Sequence, residues 1–161
     1  VQTALPCQQC GRPLQIRTAS TGVFLGTKSV IPAMQRAGGG SIINISSISA
    51  YQRYPWVAYK ATKAALIVYT KQLAIENAEY GIRANTILPG LMDTPMAVDT
   101  RANVFGKTRE QVVAERNVRV PLRNRMGSGW DVANAALFLA SDDASFVNGA
   151  QLFVDNGFTA A

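Results

Sequence analysis

The feature of this sequence that most constrains its fold is a set of short apolar runs separated by long helical patterns. The runs cover residues 41–46, 82–88 and 150–155, and the first contains the pair Ile42 and Ile43. A strand buried on both faces, as in a parallel sheet, is almost continuously apolar. Parallel strands also need long crossovers, which the helical patterns over residues 59–80 and 128–140 can provide, and a further helical pattern over residues 22–37 precedes the first run. The sequence therefore predicts an α/β fold with about three parallel strands and flanking helices.

Composition narrows the classes of function. The 161 residues are 48% hydrophobic and 16% charged, which is typical of one globular domain and not of a disordered chain. No apolar run approaches the roughly 20 residues that cross a bilayer, and the first residues do not resemble a signal peptide, so we predict a cytoplasmic protein without a membrane partner. Histidine is absent, which excludes Ser-His-Asp and Cys-His catalysis.

Neither the cysteines nor the basic charge indicates a separate function. Cys7 and Cys10 have the spacing of half a zinc knuckle or of a redox pair, but no second pair of ligands follows, and we predict no metal site. The net charge is +6, and several arginines lie between Arg101 and Arg125. That stretch contains one aromatic residue, Phe105, whereas nucleic-acid binding is expected to combine basic residues with several aromatics. We predict a solvated helical face there, with nucleic-acid binding as the weaker alternative.

A tyrosine and a lysine four residues apart are the candidate chemical groups. Tyr59 and Lys63 lie at the start of a helical pattern, so their side chains share one face of the helix and can converge. A nearby cation favours the charged form of a phenol, and such a phenol can exchange a proton with an alcohol or ketone. Taken alone, the spacing also fits a surface lysine beside a packed tyrosine.

Two predicted loops place this pair in a site. Ser46 and Ser47 follow the first predicted strand, and Pro89 and Gly90 follow the second. Ligands of open α/β sheets bind at the carboxyl ends of the strands. Both loops and the start of the Tyr59 helix are expected to meet at that edge.

Taken together, these segments resemble the short-chain dehydrogenase/reductase family. The matching stretches are GGSIINISS at 39–47, YKATK at 59–63, NTILPGLMDT at 85–94 and VNGAQLFVDNG at 147–157, in the family's order. The resemblance implies a partial Rossmann-like, doubly wound parallel sheet. It also implies an enzyme that transfers a hydride between NAD or NADP and a secondary alcohol or ketone. It divides the chain into an unrelated irregular tail, residues 1–18, and the C-terminal part of the family's domain, residues 19–161.

The resemblance also implies roles for individual residues. Tyr59 is the expected general acid/base, and Lys63 is expected to favour its ionisation and to hold the nicotinamide ribose. Ser47 is expected to hydrogen-bond the substrate oxygen, with Ser46 as the alternative because the loop to Tyr59 could be one residue shorter than in many members. The segment after residue 94 is expected to form a substrate lid, with residues 101–125 shaping selectivity, and the protein is expected to be a homodimer or homotetramer. The nicotinamide is expected to lie against a loop whose matching residues are Pro89, Gly90, Met92 and Thr94.

The chain departs from the family at two positions that concern activity. The family's Thr-Gly-x-x-x-Gly-x-Gly fingerprint is imitated by TGVFLGTK at 21–28, but Lys28 replaces the last glycine and no strand is predicted before it. Ala19 stands where the family's proton relay usually has asparagine. The pyrophosphate-binding half, with the first four strands, is therefore expected to be missing. The alternative function is a non-catalytic remnant that acts as an oligomerisation or interaction module, with strand 41–46 as an exposed sheet edge.

Overall fold

The computed structural model describes residues 20–160, together with the backbone of two short strands near the N-terminus. These strands, β1 (Leu5–Pro6) and β2 (Pro13–Leu14), pair antiparallel with each other and are separate from the main sheet. The prediction of an irregular tail over residues 1–18 otherwise lies outside the described residues, as do Cys7, Cys10 and Ala19.

Helices and strands alternate through the main part of the chain, and three of the connections contain short 3-10 turns. No helix of the described part is long and apolar enough to span a membrane. The elements are α1 (Gly22–Ala37), β3 (Gly40–Ile45), a turn at Ile48–Ala50, α2 (Val57–Glu76), a turn at Ala78–Tyr80, β4 (Ile82–Pro89), α3 (Pro95–Phe105), α4 (Arg109–Asn117), α5 (Gly129–Ala140), a turn at Asp142–Ala144 and β5 (Gln151–Val154).

The main sheet has three parallel strands in the order β3-β4-β5. Its register places Ile42 beside Ala84 and Ile87 beside Leu152. Among the described strands, β3 pairs only with β4 and therefore forms one edge. The predicted α/β fold with a doubly wound parallel sheet is confirmed.

Successive strand residues point to opposite faces of the sheet, so both faces present side chains for packing. Different helices cover the two faces. On one face, Ile42 and Ala84 pack with Leu73 of α2, and α1 adds Ile31 and Met34 to the same cluster. On the other face, Ile87 packs with Leu139 of α5 and with Ala144. A separate cluster lies within the region of α3 and α4, and its buried members are Val98, Ala102, Val112, Val120 and Met126.

Helix α2 differs from the predicted range of 59–80 at both ends. It begins at Val57 and ends at Glu76, and the remaining residues form the 3-10 turn Ala78–Tyr80. Gly81 then has a φ of 71°, the left-handed conformation that ends such a turn and that glycine adopts without strain. The earlier start places Tyr59 in the third position of α2, within its first turn, where the helix meets the sheet edge.

Part of the family-like sequence serves the sheet itself. The fully buried Asn85 of β4 donates from Nδ2 to the Val147 carbonyl oxygen at 2.8 Å and accepts from the Ala150 N–H at 2.9 Å. Asn148 accepts from the Ala84 N–H at 2.9 Å and donates to the Ala74 carbonyl oxygen at 2.9 Å. These bonds fix the start of β5 against β4 and α2, so both asparagines have structural tasks.

Candidate active site

Tyr59 and Lys63 lie together at the carboxyl edge of the sheet. Both side chains are half-buried, and the Lys63 Nζ lies 5.7 Å from the centre of the Tyr59 ring. The same Nζ donates to the carbonyl oxygen of Ile45, the last residue of β3, at 2.9 Å. This bond anchors the lysine at the strand end, beside the tyrosine, as the i, i+4 spacing predicts.

Burial lowers the pKa of Lys63 from its usual value. An ammonium has three donors, and the bond to Ile45 uses one of them. The other donors make no side-chain or backbone hydrogen bond within residues 20–160, so they can serve hydroxyl groups such as those of a ribose.

The two serines after β3 differ in what their hydroxyls do. Ser46 is buried, and its Oγ donates to the Lys63 carbonyl oxygen at 2.7 Å, which ties α2 to the strand end. Ser47 is half-buried and extended, and its Oγ accepts from the Ser49 N–H at 3.1 Å. The proton of Ser46 is therefore engaged, whereas that of Ser47 has no partner within the described residues. This difference favours Ser47 as the group that could donate to a substrate oxygen.

The loop after β4 holds the four predicted cofactor-contacting residues, two of which have clear structural constraints. A Cβ at Gly90 would lie 2.6 Å from both Cα and Cβ of Asp155, so only glycine fits there. The Met92 side chain is buried and Met92 bridges to Gly127, which leaves its backbone as the part that a cofactor could contact.

The remaining two residues frame the same loop. Pro89 ends β4. Thr94 precedes α3, and its hydroxyl accepts from the Ala97 N–H at 3.3 Å as the helix cap. Their contact with a cofactor stays a prediction.

Three further residues complete the surroundings of Tyr59, and only Arg101 among them belongs to a stretch that the sequence predicted to shape selectivity. The Tyr54 ring lies 5.6 Å from the Tyr59 ring and 5.2 Å from the Trp56 ring, measured between centres. Arg101 of α3 lies 4.9 Å above the Trp56 ring, and its Nη2 donates to the Tyr54 hydroxyl at 3.4 Å. Burial raises the pKa of Tyr54, against the opposing effect of Arg101. The aromatic run before Tyr59 was a visible signal, but only the tertiary fold brings Arg101 to it.

These residues fit one end of a nicotinamide cofactor. The free donors of Lys63 and the open loop after β4 suit a ribose and its attached ring. No pyrophosphate cradle accompanies them in the described part, because residues 22–28, which imitate the fingerprint, lie inside helix α1. Within the described residues, Tyr59, Lys63 and the loop after β4 are therefore present without the glycine-rich side of such a site.

Known proteins are similar to this chain in sequence and in fold. A family model described as Enoyl-(Acyl carrier protein) reductase matches residues 10–159. A 2,5-dichloro-2,5-cyclohexadiene-1,4-diol dehydrogenase from Sphingobium indicum is 41% identical over 140 residues, which cover 86% of this chain and 52% of the relative. The chain therefore spans about half the length of the curated relatives it matches.

Two solved structures extend the comparison. An oxidoreductase of the short chain dehydrogenase/reductase family from Burkholderia thailandensis has a TM-score of 0.85 at 33% identity, and the match covers 99% of this chain and 62% of that one. A gluconate 5-dehydrogenase from Burkholderia cenocepacia, in complex with NADP and tartrate, has a TM-score of 0.79 at 35% identity and covers 91% of this chain and 55% of that one. With the family model matching most of its residues, this chain belongs to the short-chain dehydrogenase/reductase family.

Proposed function

We propose that this chain carries the proton-transfer half of an alcohol dehydrogenase or ketone reductase that uses NAD or NADP. The observation that carries the proposal is the Tyr59 phenol beside the Lys63 ammonium at the carboxyl edge of a parallel sheet. A dehydrogenase that acts on a diol and one solved with NADP are among the relatives, which supports secondary alcohols and a nicotinamide cofactor. The protein is proposed to be cytoplasmic and homo-oligomeric, without nucleic-acid or membrane partners.

In this proposal each residue has one chemical task. Tyr59 takes the hydroxyl proton of an alcohol or returns it to a ketone oxygen. The Lys63 ammonium stabilises negative charge that develops on the Tyr59 oxygen. Ser47 donates its free hydroxyl proton to the substrate oxygen and so orients it. A bound nicotinamide would supply or accept the hydride.

Pro89, Gly90 and Thr94, with the backbone of Met92, are proposed to form the surface on which the nicotinamide rests. The Lys63 donors that are free within the described residues are proposed to bind its ribose. The hydrogen bonds of Lys63 and Ser47 within the described residues leave donors for these tasks, which supports the proposal.

The second candidate function is a non-catalytic interaction module. It is favoured by apolar side chains on the outer surfaces of α1 and α2, where Leu25 is 54%, Val68 71% and Ile75 75% exposed. Exposed apolar patches often mark association surfaces. This candidate predicts a stable oligomer that gives no thermal shift with either cofactor.

Cofactor-dependent oxidation of a secondary alcohol, followed by the absorbance of the reduced nicotinamide, tests the first proposal. We expect Tyr59→Phe to lower kcat by about 10²-fold or more, because a positioned acid/base contributes roughly 10²–10⁴-fold. Cofactor affinity, measured by the rise in melting temperature with NADH or NADPH, should change little.

The matched control is Tyr80→Phe, which removes the same hydroxyl from an exposed tyrosine in the turn after α2. It should retain full activity. Equal activity of the Tyr59→Phe variant and the parent chain would refute the role of Tyr59. Absence of a thermal shift with both cofactors would refute cofactor binding by this chain and leave the interaction module as the better proposal.

A further inference from the structure

A cavity of about 340 Å³ between α3 and α4 is lined mainly by positive charge. Four cations and a single carboxylate face it, and Phe105 and Val112 complete its wall. The carboxylate, Glu115, is already paired with the Lys107 ammonium at 2.6 Å. The charged residues that line the cavity are Arg101, Lys107, Glu115, Arg116 and Arg119.

Arg116 is the unusual member of this lining. It is 8% exposed, although arginine is almost never fully buried unless it is paired. Its Nε donates to the Met126 sulfur at 3.1 Å, and within residues 20–160 it forms no ion pair with a carboxylate. An uncompensated buried charge is costly, so this arrangement lacks an explanation in the stability of the fold.

The groups around Arg116 do not neutralise its positive charge. Arg101 bonds to the Ala97 carbonyl oxygen and the Tyr54 hydroxyl, and Arg119 lies 5.4 Å from the centre of the Phe158 ring. The nearby Asp93 carboxylate is paired with Arg109 at 2.6 Å. Burial, followed by repulsion from Arg101 and Arg119, lowers the pKa of Arg116 to about 10.

We propose that this arginine-lined cavity binds the carboxylate or sulfonate of an anionic substrate. A guanidinium presents donors in a rigid fork that matches such planar or multi-oxygen anions. The bound anion would supply the countercharge that Arg116 does not have among the described residues. The assignment of this anion to a substrate rests on the dehydrogenase function proposed above. Anion binding itself does not depend on that function.

The position of the cavity relative to Tyr59 supports a substrate anion. Arg101 connects the two, because it lines the cavity and also contacts Tyr54 and Trp56. The Tyr54 ring in turn packs against Tyr59. Arg101 thus links the cavity to the aromatic side chains beside Tyr59, which favours a substrate whose anionic group lies in the cavity.

Calorimetric titration of the 161-residue chain with 4-hydroxypentanoate tests the proposal, with neutral 2-pentanol as the reference ligand. We expect the anion to bind at least about tenfold more tightly, as charge-assisted hydrogen bonds require. Arg116→Met should reduce binding of the anion to the level of the neutral alcohol. Arg36→Met, at an exposed position of α1, should leave it unchanged.

Three results would overturn the proposal. They are equal affinity for the anion and the neutral alcohol, unchanged affinity in the Arg116→Met variant, and a preference for inorganic phosphate over the carboxylate in the same titration. If Arg116→Met does not fold, Arg101→Gln serves as the second variant and should also weaken binding of the anion. The titration contains no cofactor, so it tests anion binding alone. The cofactor-dependent assay with the Tyr59→Phe variant tests the dehydrogenase function separately, and failure of that assay would leave the anion site intact.

Discussion

Arg116→Met should stabilise the protein, because this arginine is buried and has no countercharge among residues 20–160. Burial lowers the pKa of Arg116 to about 10, a shift that corresponds to a loss of roughly 3 kcal/mol in the free energy of unfolding at neutral pH, at about 1.4 kcal/mol for each tenfold change. Methionine retains much of the side-chain volume but loses the bond from Nε to the Met126 sulfur. Replacing buried charges by apolar side chains is often neutral or stabilising by about 1–4 kcal/mol.

We therefore expect the free energy of unfolding to rise by about 1–3 kcal/mol. In a chain of this size, 2 kcal/mol corresponds to an increase in Tm of roughly 4–8 °C. Urea unfolding at neutral pH, followed by circular dichroism, measures the free energy, and scanning calorimetry measures the Tm. If the slope of the free energy of unfolding against urea concentration is unchanged, the gain in stability belongs to the native state.

The control is again Arg36→Met. Arg36 lies in the last turn of α1 and is exposed, so its loss should cost up to about 1 kcal/mol through the helix dipole and give no gain. A decrease in stability of the Arg116→Met variant would refute the reasoning, since it would mean that the guanidinium is compensated in the native state. A residue that is retained although it lowers the stability of the fold is typical of a binding site.

Two further predictions concern the sheet edge. Gly90→Ala should destabilise the chain by about 1–3 kcal/mol in urea unfolding, because its Cβ would clash with the Asp155 backbone. The control is Gly26→Ala within α1, where an added Cβ would meet open space, and it should raise the free energy of unfolding by about 0.5–1 kcal/mol. Equal changes in stability for the two variants would contradict the clash at Gly90. Burial lowers the pKa of Lys63 below 10.5, so above the lowered value the unfolded chain binds more protons and stability rises with pH up to about 10.5. Lys63→Met should flatten that rise in Tm measured against pH, and an unchanged slope would assign it to other groups.

Much of the fold followed from local patterns. The three strands were predicted within one or two residues of β3, β4 and β5, because strands buried on both faces are marked by short apolar runs. The predicted helical pattern over residues 128–140 agrees with α5, at whose start the Asp131 carboxylate accepts from the Ser128 N–H at 2.6 Å. The ends of α2 were predicted less well, since no strong cap marks its start at Val57 and the helical pattern continues into a 3-10 turn.

The candidate site also has one part that was predicted from sequence and one part that depends on tertiary contacts. Tyr59 and Lys63 were identified from sequence because they lie four residues apart on one helix, where spacing alone sets geometry. The preference for Ser47 over Ser46 came from the resemblance alone. The hydrogen bond from Ser46 to the Lys63 carbonyl oxygen, which supports the same preference, depends on a tertiary contact that the sequence does not reveal. The tasks of Asn85 and Asn148 in holding β5 were equally hidden, since their partners are distant along the chain.

The sequence by itself determined the order of strands and helices, the family resemblance and the candidate pair Tyr59 and Lys63, because each depends on residues within a few turns or on a local pattern. Only the tertiary structure decided what surrounds that pair. It brought Arg101 of α3 against Tyr54, 47 residues earlier, and it buried Arg116 beside a cavity without a countercharge within the described residues. Burial and charge pairing are properties of contacts between distant segments, so an arginine that looks like part of a solvated face in sequence can become the most informative cation in the fold.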